Sequence, residues 1–343
     1  MIELNPENVV AYLQSQGRIG SEPVQVELFG WGVSNAVFRI ATPDSVFVLK
    51  QSRPQLRTHD SWFSDIARVY REQEVMQVLH PLLPPLTVPE VLFSDRENFV
   101  FAMSHAPAES QVWKAILLEG HVDLAVGELA GHVLGRIHQA TAADPKLIEG
   151  FRDHKVFVQL RVDPFYRCIQ ERRPEIESAV QPIIDRMLSL KESLCHGDYS
   201  PKNILVHDRG FTLVDYETAH YGDSTMDLGF FLSHLVLKAI KNHVLREQYF
   251  ELSRAFWRGY FAEVSFRAAT ELEAWGIEHF AACALARIDG TSPVDYIRVE
   301  NKRELVRRLG RQILLDRPTR WHEVIQLCES AIRSLPESCH ESS

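Results

Sequence analysis

The sequence predicts an α+β protein in two unequal parts: a small antiparallel β-sheet part with one main helix, then a larger, mostly helical part. Three observations carry this. The first hundred residues hold short β-branched and aromatic runs separated by turn residues, the pattern of strands and hairpins. The texture changes after His105-Ala106-Pro107. Beyond that point apolar residues recur at helical spacing, beginning with Leu124, Leu129, Val133, Leu134 and Ile137.

Residues 24–29, 36–40 and 45–50 read as three strands, broken by Gly30 with Gly32 and by Thr42-Pro43-Asp44. Residues 64–79 read as the main helix, with Ile66, Val69, Tyr70, Val75, Met76 and Leu79 forming a stripe. A proline-rich connector, HPLLPPLTVP, leads to strands at 88–93 and 98–103, turned by Asp95-Arg96-Glu97. Residues 121–141 form a long helix, and helices dominate from there on, interrupted by a strand pair at 204–206 and 211–214. The expected division is residues 1–104, residues 105–335, and a disordered tail at 336–343.

Composition excludes several classes. The 343 residues are 45% hydrophobic with 17 Gly and 17 Pro, which excludes wholesale disorder and collagen-like or low-complexity chains. A net charge of -9 counts against nucleic acid and membrane surfaces as partners. The five cysteines are odd in number and widely spaced, without C-x-x-C, which argues against a disulfide framework or an ordinary zinc site. No signal peptide and no membrane span is read, so a cytoplasmic protein, monomer or homodimer, is expected.

The segment LCHGDYSPKNILV carries the chemistry. His196-Gly197-Asp198 stands five residues before Asn203, and Asp215 and Glu217 follow a hairpin pattern. Chance alone yields H-G-D-x-x-x-x-N in roughly one chain in 500 of this length. Phosphoryl transfer needs positioning and charge neutralisation more than covalent work. Asp198 suits the carboxylate that accepts a hydroxyl proton, and Asn203 with Asp215 offer the hard oxygen ligands that magnesium prefers. No G-x-x-x-x-G-K-[ST] loop and no dinucleotide fingerprint occurs. The loop after residue 286, ARIDGTSPVDY, places Arg287 and Asp289 as candidate contacts for a polyhydroxy or anionic acceptor, although it is also good turn chemistry.

HGDYSPKNIL, followed by VDYE and MDLGF, resembles the catalytic and metal-binding region of the aminoglycoside phosphotransferase and choline kinase superfamily, small-molecule relatives of the protein kinases. The resemblance implies a protein-kinase-like two-lobed fold and an ATP- and Mg2+-dependent kinase acting on a small hydroxylated metabolite. It implies metal contact from Asp215 and Glu217, a supporting role for His196, and a structural role for Asp227 in holding the catalytic loop. Gly30, Gly32, Ser34 and Asn35 resemble the phosphate-capping loop of these kinases. Lys50 then matches the lysine that holds the α/β-phosphates, and Glu72 its helix partner, whereas Glu74 points elsewhere. Ser104 and His105 fall at the hinge, where family members bond adenine through the backbone.

The run K-Q-x-x-P-x-x-R from Lys50, with Trp62 beyond, is similar to 5-methylthioribose kinases, but Asn203 departs from their pattern and favours the generic one. A methylthioribose- or choline/ethanolamine-type kinase stays open, as does a nucleotide-binding pseudokinase. A protein kinase is disfavoured because the stretch from Thr218 to Met226 is too short for an activation segment.

Overall fold

The structure, a computed structural model, describes residues 1–29, 35–53 and 65–334. The expected loop residues Gly30, Gly32 and Ser34, the Trp62 region and the tail at 336–343 lie outside the described residues. Two compact units are present. One is Met1–Ser110 with Thr212–Thr218, and the other is Gln111–Phe211 with the chain from Ala219 onward.

The first unit holds a five-stranded antiparallel sheet of β1 (Gln25–Leu28), β2 (Asn35–Ala41), β3 (Val46–Ser52), β4 (Val91–Asp95) and β5 (Val100–Ser104), in the order β1-β2-β3-β5-β4. Side chains alternate across a strand. Phe47 and Leu49 of β3 therefore join Val9, Tyr12 and Leu13 of the short helix α1 (Val9–Ser15) in one core cluster. Lys50 has the opposite sense and meets helix α2 (Arg68–Leu79). The sequence reading missed α1.

The last two strands start later than the sequence suggests. Pro89 has no N–H for a ladder, which delays β4 to Val91. The Asp95 carboxylate accepts from the N–H groups of Glu97 (2.9 Å) and Asn98 (3.2 Å), so an Asx turn occupies the residues before β5. The segment 212–218, read with the helical part in the sequence, belongs to this unit. Leu213 donates its N–H to the Thr87 carbonyl (2.8 Å), and the Thr212 hydroxyl donates to the Leu86 carbonyl (2.8 Å).

The second unit is mostly helical. The helix Ser224–Lys241 is buried from Ser224 to Ile240 and forms its axis. The helices Leu124–Thr141 and Arg246–Glu263 pack through Gly131 and Gly259, where an added Cβ would sit 2.0 Å from a carbonyl of the opposing helix. Asp123 caps the first of these, accepting from Ala125 N–H at 2.8 Å, which starts the helix at Leu124 rather than at residue 121. β6 (Gln111–Val112), β8 (Ile204–His207) and β9 (Gly210–Leu213) form a small sheet, and β7 (Ser193–Cys195) pairs with β10 (His220–Gly222). Among the described residues, no helix is long and apolar enough to cross a membrane.

Candidate active site

In the second unit, β7 ends at Cys195 and delivers His196, Gly197 and Asp198 into a loop. Gly197 has φ +75, a left-handed conformation that favours glycine. Asp227, fully buried in the first turn of the Ser224–Lys241 helix, accepts the N–H groups of His196 (2.7 Å) and Gly197 (2.8 Å). Burial works against its charge, but His138 and His196 outweigh that and hold the Asp227 carboxyl below its ordinary range. His138 is itself placed by the Tyr260 hydroxyl at 3.0 Å. His196 Nδ1 accepts the Asp198 N–H at 3.2 Å, so it shapes the loop.

The Asp198 carboxylate has two holders. Asn203 Nδ2 donates to Oδ2 at 2.9 Å and to the Asp198 carbonyl at 3.0 Å. Arg161 Nη2 lies 2.7 Å from Oδ1, and Arg161 Nε donates to the Gly197 carbonyl at 2.7 Å. Arg161 sits in a stretch of π-helix, Val158–Arg167, with Pro164 inside it. Wide turns of this kind are frequent at functional sites because they shift the phase of the side chains. Asn203 thus contributes its amide N–H2 to Asp198, and its amide oxygen is the donor suited to a metal.

The first unit assembles a second cluster. Lys50 Nζ lies 2.6 Å from Glu72 Oε2 and 2.7 Å from Asp215 Oδ1. Glu217 Oε2 accepts from Arg68 Nε at 3.0 Å and from Asn35 Nδ2 at 2.8 Å. Arg68 and Glu72 are one turn apart on α2 and both buried, so one helix face supplies the cation that pairs with Glu217 and the carboxylate that pairs with Lys50. Glu74 is exposed and stands 3.9 Å from Arg96, away from the cluster. Burial works against the Lys50 ammonium, but Asp215, Glu72 and Glu217 outweigh it and hold it charged. Burial pushes Glu72 up to about 7, with Lys50 opposing and Asp215 and Glu217 adding to the rise.

Glu72, Asp215 and Glu217 each offer a carboxylate oxygen, and these atoms lie within 4.8 Å of one another. An all-oxygen, anionic donor set fits a hard cation such as Mg2+. Asp215 has φ +71, a conformation non-glycine residues rarely adopt and one that concentrates at functional sites.

The remaining expected residues divide. Ser104 donates its N–H to the Glu90 carbonyl (2.8 Å), and its hydroxyl accepts the Glu90 N–H (2.9 Å), so its N–H, one of the backbone groups at the expected hinge, is engaged with the residue before β4. His105 Nδ1 lies against the Ala106 carbonyl. Asp289 is tied to Arg173 (2.6 Å) and Arg307 (3.0 Å), an arginine clasp at the end of the helix Ala269–Asp289. Arg287 has other neighbours: its guanidinium carbon lies 5.9 Å from the Phe165 ring, beside Arg161.

A family model described as "Phosphotransferase enzyme family" matches residues 25–268. The chain belongs to this family. A methylthioribose kinase of Exiguobacterium sibiricum is 25% identical over 307 residues, taking in 78% of this chain and 75% of that one. Among solved structures, an ethanolamine kinase of Plasmodium vivax aligns with a TM-score of 0.55 at 11% identity, covering 98% of this chain and 90% of the other. An amicoumacin kinase in complex with AMP-PNP, Ca2+ and Ami aligns with a TM-score of 0.55 at 13% identity, covering 92% and 97%.

The phosphotransferase fold therefore accounts for the two-part α+β architecture. Three contacts in this phosphotransferase escape the sequence reading. Arg161 belongs to no motif and stands 37 positions before Asp198, and Arg68 with Asn35 reach Glu217 from 149 and 182 positions away. A signal existed for Arg68, since Arg68 and Glu72 share the i, i+4 spacing of one helix face.

Proposed function

We propose that this phosphotransferase moves the γ-phosphoryl group of ATP to a hydroxyl of a small-molecule metabolite, with Asp198 as the residue that receives the hydroxyl proton. The observation that carries the reading is the double restraint on Asp198, by Asn203 at 2.9 Å and Arg161 at 2.7 Å, on a loop anchored to Asp227. A carboxylate fixed in this way is preorganised to orient an acceptor hydroxyl. As the acceptor oxygen bonds to the γ-phosphorus, its proton passes to Asp198, the bond from phosphorus to the bridging oxygen breaks, and ADP leaves. A positioned base of this kind contributes about 10²–10⁴-fold to the rate.

Lys50, held by Glu72, is assigned to the α/β-phosphates, and Asn35 to the support of the nucleotide side through Glu217. His105 is assigned to the hinge, and Gly30, Gly32 and Ser34 to the phosphate-capping loop. Asn203, Asp215 and Glu217 are proposed as magnesium ligands from their donor chemistry, and Mg2+ would neutralise charge on the phosphates. The relatives named for methylthioribose and ethanolamine support a small hydroxylated acceptor and give no support to a protein kinase or a module without turnover. The test is a coupled ADP-release assay with ATP, Mg2+ and a panel of sugars, amino alcohols, methylthioribose and hydroxy acids. Acceptor-dependent ADP release is expected. Its absence across the panel, with nucleotide bound, overturns the reading.

A further inference from the structure

The buried helix Ser224–Lys241 carries Phe230, His234 and Lys238 four residues apart, hence on one face. The Phe230 and His234 rings are 4.9 Å apart. Lys238 is fully buried, and its Nζ donates to the His234 carbonyl at 3.1 Å. That Nζ lies 5.4 Å from the centre of the Tyr296 ring, and Lys114 Nζ lies 5.6 Å from the same ring. Among the described residues no carboxylate forms an ion pair with Lys238, and Lys114 has only the exposed Asp295, at 3.5 Å. Arg287 and Arg161 approach the Phe165 ring at 5.9 and 5.7 Å, and Arg161 continues to Asp198 at 2.7 Å.

The polar atoms here are not internally satisfied. Arg287 Nε and the Tyr296 hydroxyl are both buried without a hydrogen-bond partner among the described residues. Four basic side chains, Lys114, Arg161, Lys238 and Arg287, interact electrostatically with one another or with His234, and the carboxylates that act on this group among the described residues are Asp198 and the exposed Asp295. Burying an unpaired cation and two unmatched donors is costly, so such an arrangement is expected where a ligand supplies the acceptor atoms and the negative charge.

We propose that the phosphoryl acceptor carries an oxyanion, a carboxylate or a phosphate monoester, bound by Lys238, Arg287 and Tyr296 while its hydroxyl meets Asp198. This rests on the phosphotransferase reading above and names its substrate class. The Phe165 and Phe230 rings, 5.7 Å apart and both beside Arg161, are assigned to the carbon skeleton of that ligand. Burial first, then Lys114 and Arg287, push the Lys238 ammonium well below its ordinary range, and a bound oxyanion offsets both effects. The same surroundings disfavour a quaternary or primary ammonium group, which would add to the positive charge of Lys114, Arg161 and Arg287.

The test uses the full chain with ATP and Mg2+ and acceptors matched in carbon skeleton: glycerol, glycerate and glycerol 3-phosphate; ribose, ribonate and ribose 5-phosphate; with choline and ethanolamine as cations. One anionic arm is expected to exceed its neutral counterpart in kcat/KM by about 10–100-fold, the worth of charge-assisted hydrogen bonds. Whether glycerate and ribonate or the phosphate esters lead tells which oxyanion is taken. Lys238→Met is expected to raise KM for the preferred anion by about tenfold or more, with the effect on the acceptor rather than on ATP. Tyr296→Phe removes a single oxygen, is read in the same way, and serves if the lysine variant does not fold. Transfer that favours neutral or cationic acceptors, or an unchanged KM for the anion in the variants, overturns the inference while leaving the kinase reading intact. No transfer to any acceptor, with ATP bound, overturns both.

Discussion

Arg161 Nη2 stands 2.7 Å from Asp198 Oδ1. The same guanidinium donates through Nε to the Gly197 carbonyl at 2.7 Å, so one side chain fixes both the carboxylate and the backbone that carries it. This needs a planar fork with several donors, which lysine cannot reproduce. The loop is then held from two sides, by Arg161 and by Asp227, which takes the N–H groups of His196 and Gly197.

Replacing Arg161 with lysine should therefore lower kcat without a matching rise in the ATP KM. Misplacement of a catalytic group by about 1 Å costs up to roughly 10²-fold, and a loss of about 10–100-fold is expected. Steady-state kinetics on the identified acceptor make the comparison. A lysine variant with wild-type kcat would show that the ion pair does not position Asp198.

Asp227 predicts how stability varies with pH. Its carboxyl is held below its ordinary range by His138 and His196 against the effect of burial. The lowered native value means its contribution is fully present above the unfolded value of about 4 and is lost as pH falls through the native value. Asp227→Asn should cost about 1–3 kcal/mol at pH 7 and flatten the decline in stability below about pH 4. Urea unfolding at stepped pH reads both. Parallel pH profiles for the two proteins would contradict the assignment.

The carboxylates of Glu72, Asp215 and Glu217 lie close enough together to share a cation. Mg2+ that binds the native state should raise the melting temperature in proportion to RT ln(1 + [L]/Kd). Asp215→Asn should remove most of that shift and most of the magnesium dependence of turnover, with a loss of at least about tenfold. Thermal unfolding across a magnesium series measures the first, and activity across the same series the second. An undiminished shift in the variant would move the metal away from Asp215.

The candidate site was legible where chemistry repeats in local order. His196, Asp198 and Asn203 fall within eight consecutive residues, and the structure joins them by direct hydrogen bonds. Lys50 was legible because it closes an apolar strand run, and Glu72 because it lies in the helix that follows, in the order the family resemblance implies. Arg161 was not, since π-helical winding shifts the phase on which helical periodicity depends. Asn35 and Glu217 meet only once the chain has folded across 182 positions, and nothing local marks such a pair. The face of Phe230, His234 and Lys238 is visible in the sequence, but it reads as one side of a buried helix until Arg287 and Tyr296 are brought beside it. Asp289 shows the opposite case: its polar neighbourhood suggested an acceptor contact, whereas the helix end uses it to gather Arg173 and Arg307.

The most direct measurement is single-turnover phosphoryl transfer by Asp198→Ala, with nucleotide affinity determined on the same preparation. Loss of the transfer rate by about 10²–10⁴-fold, with ATP affinity within about threefold of wild type, is the outcome expected of a base that acts on the acceptor hydroxyl. A variant that retains most of its transfer rate would contradict the role given to Asp198, and with it the central claim about how this phosphotransferase works.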